Sequence, residues 1–542
     1  MTETQKKLFV LVNEIADICD ENDIVYYLAG GSTIGVLRHK GFIPWDDDMD
    51  IMMTRDNWEK FLAATKGRLP EGRTLMCQEN SRGYNNMFGR YVDTSSATIH
   101  KGDLLGGGAA GFVIDILCLD PIPDMKAYER YIEDLMLYSD LINPSLNYSY
   151  RWNMNKDRYN EYLKRVQNEG RDAVLSELEK SMFCYDENKC DYLVLRWGGV
   201  PFLFDKKMYG SSRWGEFEGR QFRIPDRSGD YLTQHYGDEW AYIPPHDEQM
   251  THNAIFSPNI SYETIQEDYM HFIDVEKETD KLIKRKQAYL DHMQEDIEYR
   301  KALTKLMACA ARCVSEKSIR ESGADVNQLL KDNKYKEIYK LFSAYYAEQG
   351  SRDLIGREDF SGIGYFINPV LVDIEEDWFV AAVSALVHCN KMSKAMRFID
   401  VWESNKGNLP EAVRELREFV LAVRRAISEY DVGNREFAYA ETERLYRAYP
   451  YNQSLAMFNI RLLEERGMYE EMKSEYDRIS VTYPGDGYIT KYLGDYYRHK
   501  GETEQAIEAY RQALATTTNG MTMLEIEEIA ASEPAYAAIT ER

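Results

Sequence analysis

No apolar run in this 542-residue chain approaches the roughly 20 residues that a membrane-spanning helix needs, so no transmembrane segment is expected. Cysteine is sparse and unpaired. The eight residues lie at 19, 77, 118, 184, 190, 309, 313 and 389 with no CxxC unit among them, which argues against a zinc cage. Cys309 and Cys313, one helical turn apart, read as small core residues. A chain this long needs no disulfide staples, and reduced thiols fit the cytoplasm. Positive charge is short: 66 Lys and Arg against 91 Asp and Glu leave a formal net charge of −25. That balance argues against a nucleic-acid-coating protein. An anionic substrate would have to be met by a local basic patch or by metal. The amino terminus leads into an amphipathic helix rather than a secretory signal. The expectation is a soluble, cytoplasmic protein, with peripheral contact at the inner face of a membrane left open.

The length implies two or three domains. Residues 3–22 read as a helix with Leu8, Leu11, Ile15 and Ile18 on one face. Ile24–Ala29 reads as a strand, Gly30-Gly31 as a turn, and Ser32 as the cap of a helix to about His39. Met49–Met53 and Phe112–Leu117 read as apolar strands, joined in part by the glycine-rich run Gly106–Gly111. Residues 125–200 look like a polar, mostly helical insertion. Trp214–His252 looks like compact loop-and-strand structure returning to the first core. The predicted division is a catalytic domain at 1–275, a helical linker at 276–320 and an all-α repeat region at 321–542. In the last region Gly433, Gly467 and Gly501 are spaced by 34 residues, as are Tyr449-Pro450 and Tyr483-Pro484. Leu493-Gly494, Tyr497, Ala506, Tyr510 and Ala513 fall where a tetratricopeptide (TPR) repeat places its packing residues. The pattern predicts a solenoid with a concave surface for a partner.

The densest chemical signal runs from Ala29 to Ile51. Asp46, Asp47, Asp48 and Asp50 crowd together although like charges repel, and a divalent cation would remove that repulsion. On a strand, Asp48 and Asp50 share one face while Met49 and Ile51 take the other. Asp115 is a third carboxylate between apolar neighbours, and a metal is the natural compensation for burying it. Upstream, the backbone of Gly30, Gly31 and Ser32 at a helix start could hold phosphate. Arg38, His39 and Lys40 could neutralise a diphosphate.

A glycine turn, then DxD on a strand, then a strand bearing one aspartate is the order of the nucleotidyltransferase fold. The run from Gly35 to Asp50 resembles the signature of the LicD family. Phe112–Asp120, the segment Glu216–Gly219 with Phe222 and Pro225, and a closing motif of Tyr231-Leu232, Tyr236-Gly237-Asp238-Glu239-Trp240, Pro244-Pro245 and His252 resemble its further segments. The resemblance covers about residues 5–255. It implies an α/β (α+β) nucleotidyltransferase-fold domain, here followed by an all-α TPR-like solenoid outside the family core. It also implies transfer of a substituted phosphate, phosphocholine or a polyol phosphate, from a CDP-linked donor to a sugar hydroxyl of a glycan or teichoic acid. By position, Asp48, Asp50 and Asp115 would be catalytic and would hold Mg²⁺ or Mn²⁺. His39 and His252 are candidates for base or phosphate contact. Glu218, Tyr236 and Asp238 are candidates for the substrate side, and Trp45, Tyr236 and Trp240 for a cation–π box.

Two other functions fit parts of this pattern. The same carboxylates could transfer a nucleoside monophosphate to a small molecule, a protein or RNA. The repeats alone could make the chain a protein-binding scaffold.

Overall fold

The computed structural model describes residues 1–80, 83–99, 111–143, 156–197, 200–249, 251, 255–270, 274–346 and 369–540. The chain divides into two units. The first contains Met1–Tyr231 and His246–Arg300, and the second contains Leu232–Pro245 and most of the chain beyond residue 300.

The first unit is built on a mixed sheet. Helix α1 (Glu3–Glu21) starts in a capping box: the Thr2 hydroxyl accepts the Gln5 N–H while the Gln5 side chain accepts the Thr2 N–H. Its apolar face, Leu8, Leu11, Val12, Ile15 and Cys19, is buried. Strand β1 (Tyr27–Leu28) is shorter than Ile24–Ala29, and α2 (Gly30–His39) follows it directly. The helix cap is Ala29, not Ser32. Ser32 lies inside the helix, where its hydroxyl accepts the Asp50 N–H at 3.2 Å. Then come β2 (Asp50–Thr54), α3 (Arg55–Thr65), β3 (Arg73–Met76), β4 (Gly89–Asp93), β5 (Ala97–Ile99) and β6 (Phe112–Ile122). The central sheet runs β1-β2-β6-β4-β3. Within it β2 and β6 are parallel, and β4 is antiparallel to β6. Ile51, Met52 and Met53 are all fully buried, as expected of a strand covered on both faces. Of the glycine-rich run, positions 106–110 lie outside the described residues.

The segment from 125 is helical only in part. Helices α4 (Met125–Ile142), α5 (Lys156–Glu169) and α6 (Arg171–Met182) share a core of their own, including Tyr131, Leu135, Val174 and Leu178. The chain then rejoins the sheet as β7 (Tyr192–Trp197), antiparallel to the end of β6, followed by β8 (Val200–Asp205). Leu193, Val194 and Leu195 alternate in no helical sense and are all buried, which is why a helical reading fails there. The hairpin β9 (Arg213–Phe217) and β10 (Arg220–Ile224) turns through Glu218 and Gly219 at φ +50° and +78°. Two positive φ values are the geometry of a tight hairpin turn. Next are α7 (Ser228–Tyr236), β11 (Ile255–Ser257) and α8 (Tyr262–Met270). A single 48-residue helix, α9 (Val275–Ser322), occupies the predicted helical linker.

A buried ionic cluster ties α3 and the inserted helices to the sheet. Asp120 on β6 is fully buried. It accepts from Arg55 Nε at 2.9 Å and Nη2 at 2.6 Å, pairs with Arg196 Nε at 2.9 Å, and accepts the Tyr131 hydroxyl. Phe183 lies under both guanidinium groups, at 4.0 and 4.9 Å. Burial alone would raise the Asp120 carboxyl, but Arg196 and Arg55 outweigh it and hold the group below its ordinary range.

Apart from Leu232–Pro245, the second unit is built of helices among the described residues. Gly433, Gly467 and Gly501 stand at φ +90°, +68° and +74°. Each ends a helix, so the 34-residue spacing repeats a left-handed cap. Gly494 lets the next helix in: a Cβ there would sit 2.5 Å from the Tyr510 ring. Ala506 and Ala513 are fully buried beside it. Cys313 is exposed and Cys309 half-buried, so that pair is not a core feature. Among the described residues no helix is long and apolar enough to cross a membrane.

Removing the Asp120 charge leaves Arg196 without its carboxylate partner and Arg55 with only Glu79, at 3.5 Å. Asp120→Asn is expected to cost about 3–5 kcal/mol in chemical denaturation of the first unit. The carboxyl sits lower in the folded state than its unfolded value of about 3.9, so its stabilisation is complete above that pH and fades as pH falls through the folded value. The wild type should therefore lose stability on acidification faster than Asp120→Asn. Parallel acid titrations of the two melting curves would refute the assignment.

Candidate active site

Two strand pairings bring charged residues into one row. Asp50 on β2 is abreast of Asp115 on β6, and Asp115 is abreast of Arg90 on β4. Arg90 Nε donates to Asp115 Oδ1 at 3.0 Å. Asp48 precedes the strand, and Met49 and Ile51 are buried while Asp48 and Asp50 are half-buried, the alternation that an extended segment requires. Burial first, then the carboxylates of Asp48, Asp115 and Asp46, push the Asp50 carboxyl well above its usual range, with Arg90 pulling the other way. Asp115 retains contact with solvent, its side chain being 19% exposed.

This donor set suits a hard divalent cation. Asp50 is poor at carrying its charge unaided among other carboxylates, and a cation would relieve that cost. Among the described residues no group of three or more His, Cys, Asp and Glu side chains is gathered as a ready-made metal cage. Mg²⁺ commonly takes only one or two protein carboxylates and completes its shell with water and substrate phosphate. Asp48, Asp50 and Asp115 could hold an ion in that manner.

The glycine turn serves the protein itself more than expected. Gly30, at φ +49°, gives its N–H to the Tyr231 hydroxyl at 3.0 Å, so that donor is already engaged. Gly31 leaves room for Asp46: a Cβ would stand 2.9 Å from Asp46 Oδ2. An aspartate thus sits near the positive end of α2, where phosphate was expected. Ser32 commits its hydroxyl to the backbone of Asp50.

At the other end of α2, Arg38 is only 4% exposed. Burial pushes its guanidinium down to about 10, against the pull of Asp46. Burial and then Arg38 push His39 down to about 4. That shift favours the neutral imidazole of His39, which adds no charge against a diphosphate but suits a proton acceptor. Its ring stands edge-on to Trp45 at 6.5 Å. Lys40 is exposed and ends the helix at φ +51°.

Glu218 is a brace. Its Oε1 accepts the Phe42 N–H at 3.2 Å, its own N–H donates to the Lys40 carbonyl at 2.8 Å, and Gly41 has no side chain because Glu218 fills the space. Tyr236 and Asp238 fall in the second unit, as does Trp240, whereas Trp45 falls in the first. Asp238 accepts the Ser393 N–H and pairs with Arg424 at 3.5 Å. Trp240 Nε1 donates to Thr233 at 3.1 Å. His252 lies outside the described residues.

The roles of three residues escape a linear reading. Arg90 sits on a strand whose five residues carry no long apolar run. Tyr231 holds Gly30 from 201 residues away. Gln5, 3% exposed, donates from Nε2 to the carbonyls of Ile43 at 3.3 Å and Asp46 at 3.0 Å, fixing the approach loop. Only its capping-box position, three residues after Thr2, marks Gln5 in the sequence.

Residues 23–101 match the family described as LicD/FKTN/FKRP, nucleotidyltransferase domain. The chain is similar to the lipopolysaccharide cholinephosphotransferase LicD of Haemophilus influenzae, at 28% identity over 253 residues, 44% of this chain and 89% of that protein. It also resembles uncharacterized proteins of Rickettsia prowazekii and Rickettsia typhi, at 39% identity over 44 residues, 8% of this chain and 16% and 14% of theirs. No solved structure matches.

Glu218→Ala takes the acceptor from the Phe42 N–H, and is expected to cost about 1–3 kcal/mol. Thermal melting and faster amide exchange at Phe42 check it. Unchanged melting and unchanged Phe42 exchange would return Glu218 to the substrate side.

Proposed function

We propose that the chain, whose residues 23–101 carry a LicD-family nucleotidyltransferase domain, is a phosphotransferase. It moves phosphocholine or a polyol phosphate from a CDP-activated donor to a sugar hydroxyl of a cell-surface glycan, either lipopolysaccharide or teichoic acid. The observation that carries this reading is the register of Asp50 beside Asp115, with Asp48 two residues upstream. The similarity to a cholinephosphotransferase extends well past the matched domain and favours transfer of a substituted phosphate over transfer of a nucleotide. A nucleotide-activated donor fits a cytoplasmic reaction beside the inner face of a membrane. We read the helical hairpins as TPR-like units appended to this catalytic core.

Asp48, Asp50 and Asp115 would hold Mg²⁺ or Mn²⁺, which when bound neutralises phosphate charge and so favours in-line displacement. The acceptor hydroxyl forms a bond to the distal phosphorus while the bond to the cytidine monophosphate oxygen breaks. The hydroxyl proton passes to Asp115, whose side chain keeps access to solvent. Arg90 orients Asp115 through its bond to Oδ1.

Purified protein with Mg²⁺ and CDP-choline, CDP-ribitol or CDP-glycerol should release cytidine monophosphate with one of them. Release of pyrophosphate from a nucleoside triphosphate, with no turnover of any CDP donor, would overturn the reading in favour of nucleotidyl transfer. Asp50→Asn and Asp115→Asn should each lower turnover by about 100-fold or more, and Asp50→Asn, which removes one of the crowded carboxylates, should do so without lowering the melting temperature. A chelator should stop turnover, and added Mg²⁺ should restore it.

A further inference from the structure

The segment Leu232–Pro245 belongs with the helical unit, and it is held there at more than one point along its length. Asp238 accepts the N–H of Ser393 in the first turn of the helix Met392–Lys406. That helix has no capping bond from its own leading residue, Lys391. A carboxylate at this point satisfies an orphan donor and meets the positive end of the helix. Arg424 closes the corner: its Nη2 donates to the Ser393 hydroxyl at 2.7 Å and lies 3.5 Å from Asp238 Oδ1.

The next residues continue the grip. Lys391 Nζ pairs with Glu239 Oε1 at 3.0 Å and lies 5.7 Å from the centre of the Tyr242 ring. Burial raises the Glu239 carboxyl, but Lys391 outweighs it and the group ends below its ordinary range. The Tyr242 hydroxyl accepts from Asn390 Nδ2 at 2.9 Å. Much further along the chain, the Thr518 carbonyl accepts the Ile243 N–H at 2.7 Å, and Asn519 forms a β-bridge with Tyr242. Asp238, Glu239, Tyr242 and Ile243 thus engage two separate helix junctions, at 390–393 and 518–519.

We propose that the resident partner of the helical unit is this segment of the chain itself, captured by its acidic pair Asp238-Glu239 and by Tyr242. The helical unit then acts as a positioning device for the segment. The inference stands apart from the proposed reaction, because capture needs no substrate.

Hydrogen exchange of the full chain, read by mass spectrometry, tests it. Lys391→Glu places like charges together and should speed exchange of residues 238–243 and of Ser393 by roughly fivefold to tenfold. The swap Glu239→Lys with Lys391→Glu should restore protection, which a merely destabilising change at Lys391 would not do. Unaltered exchange in Lys391→Glu, or a swap that fails to restore it, overturns the proposal. Should Lys391→Glu fail to fold, Asp238→Asn keeps the shape and removes the charge. It should speed exchange at Ser393, and unchanged exchange there overturns the proposal equally. Cytidine monophosphate release, measured in parallel, separates loss of capture from failure of the catalytic reading.

Discussion

The parallel pairing of β2 with β6 is what everything near the candidate site depends on. It sets Asp50 and Asp115 in one row, a placement that folding alone does not reward. Five residues further along β6, Asp120 falls on the opposite face, since side chains alternate along a strand. There two arginines and a tyrosine balance it in a dry interior. The same strand therefore carries one aspartate whose charge is matched and another whose neighbour, Asp50, resists ionisation. The first arrangement stabilises the fold. The second leaves crowded negative charge of the kind that positive charge relieves.

The loop leading into Asp48 is held from several directions by groups distant in sequence. Gln5 supports its carbonyls, Glu218 supports its start, and Asp46 sits beside Gly31. Such bracing matters because a site of crowded carboxylates has no internal reason to stay together. Rigid supports outside the row maintain the geometry that repulsion would open.

Much of this was legible in the chain. Strand alternation separated Asp48 and Asp50 from Met49 and Ile51, and an isolated aspartate in an apolar run marked Asp115. The 34-residue spacing located the left-handed helix ends, because glycine tolerates that conformation best. Long-range partners were not legible. Whether Gly30 offers its N–H to phosphate or to Tyr231, and whether Glu218 faces substrate or Phe42, depends on contacts 201 and 176 residues apart. Neutral His39 likewise follows from burial that local pattern does not display. Short strands such as β4 and β7 were missed because five or six residues carry too little periodicity to outweigh their flanks.

The Asp120 cluster bears on how far the first unit can be trimmed. Its members come from α3, β6, α4 and β7, so the helices between residues 125 and 182 are not an ornament on a self-sufficient core. A chain cut down to the matched family residues 23–101 would keep Arg55 but lose Asp120, Tyr131 and Arg196 together. The smallest piece that keeps these charges accounted for runs through β7. The span that the family model matches is therefore smaller than the span that keeps the cluster together.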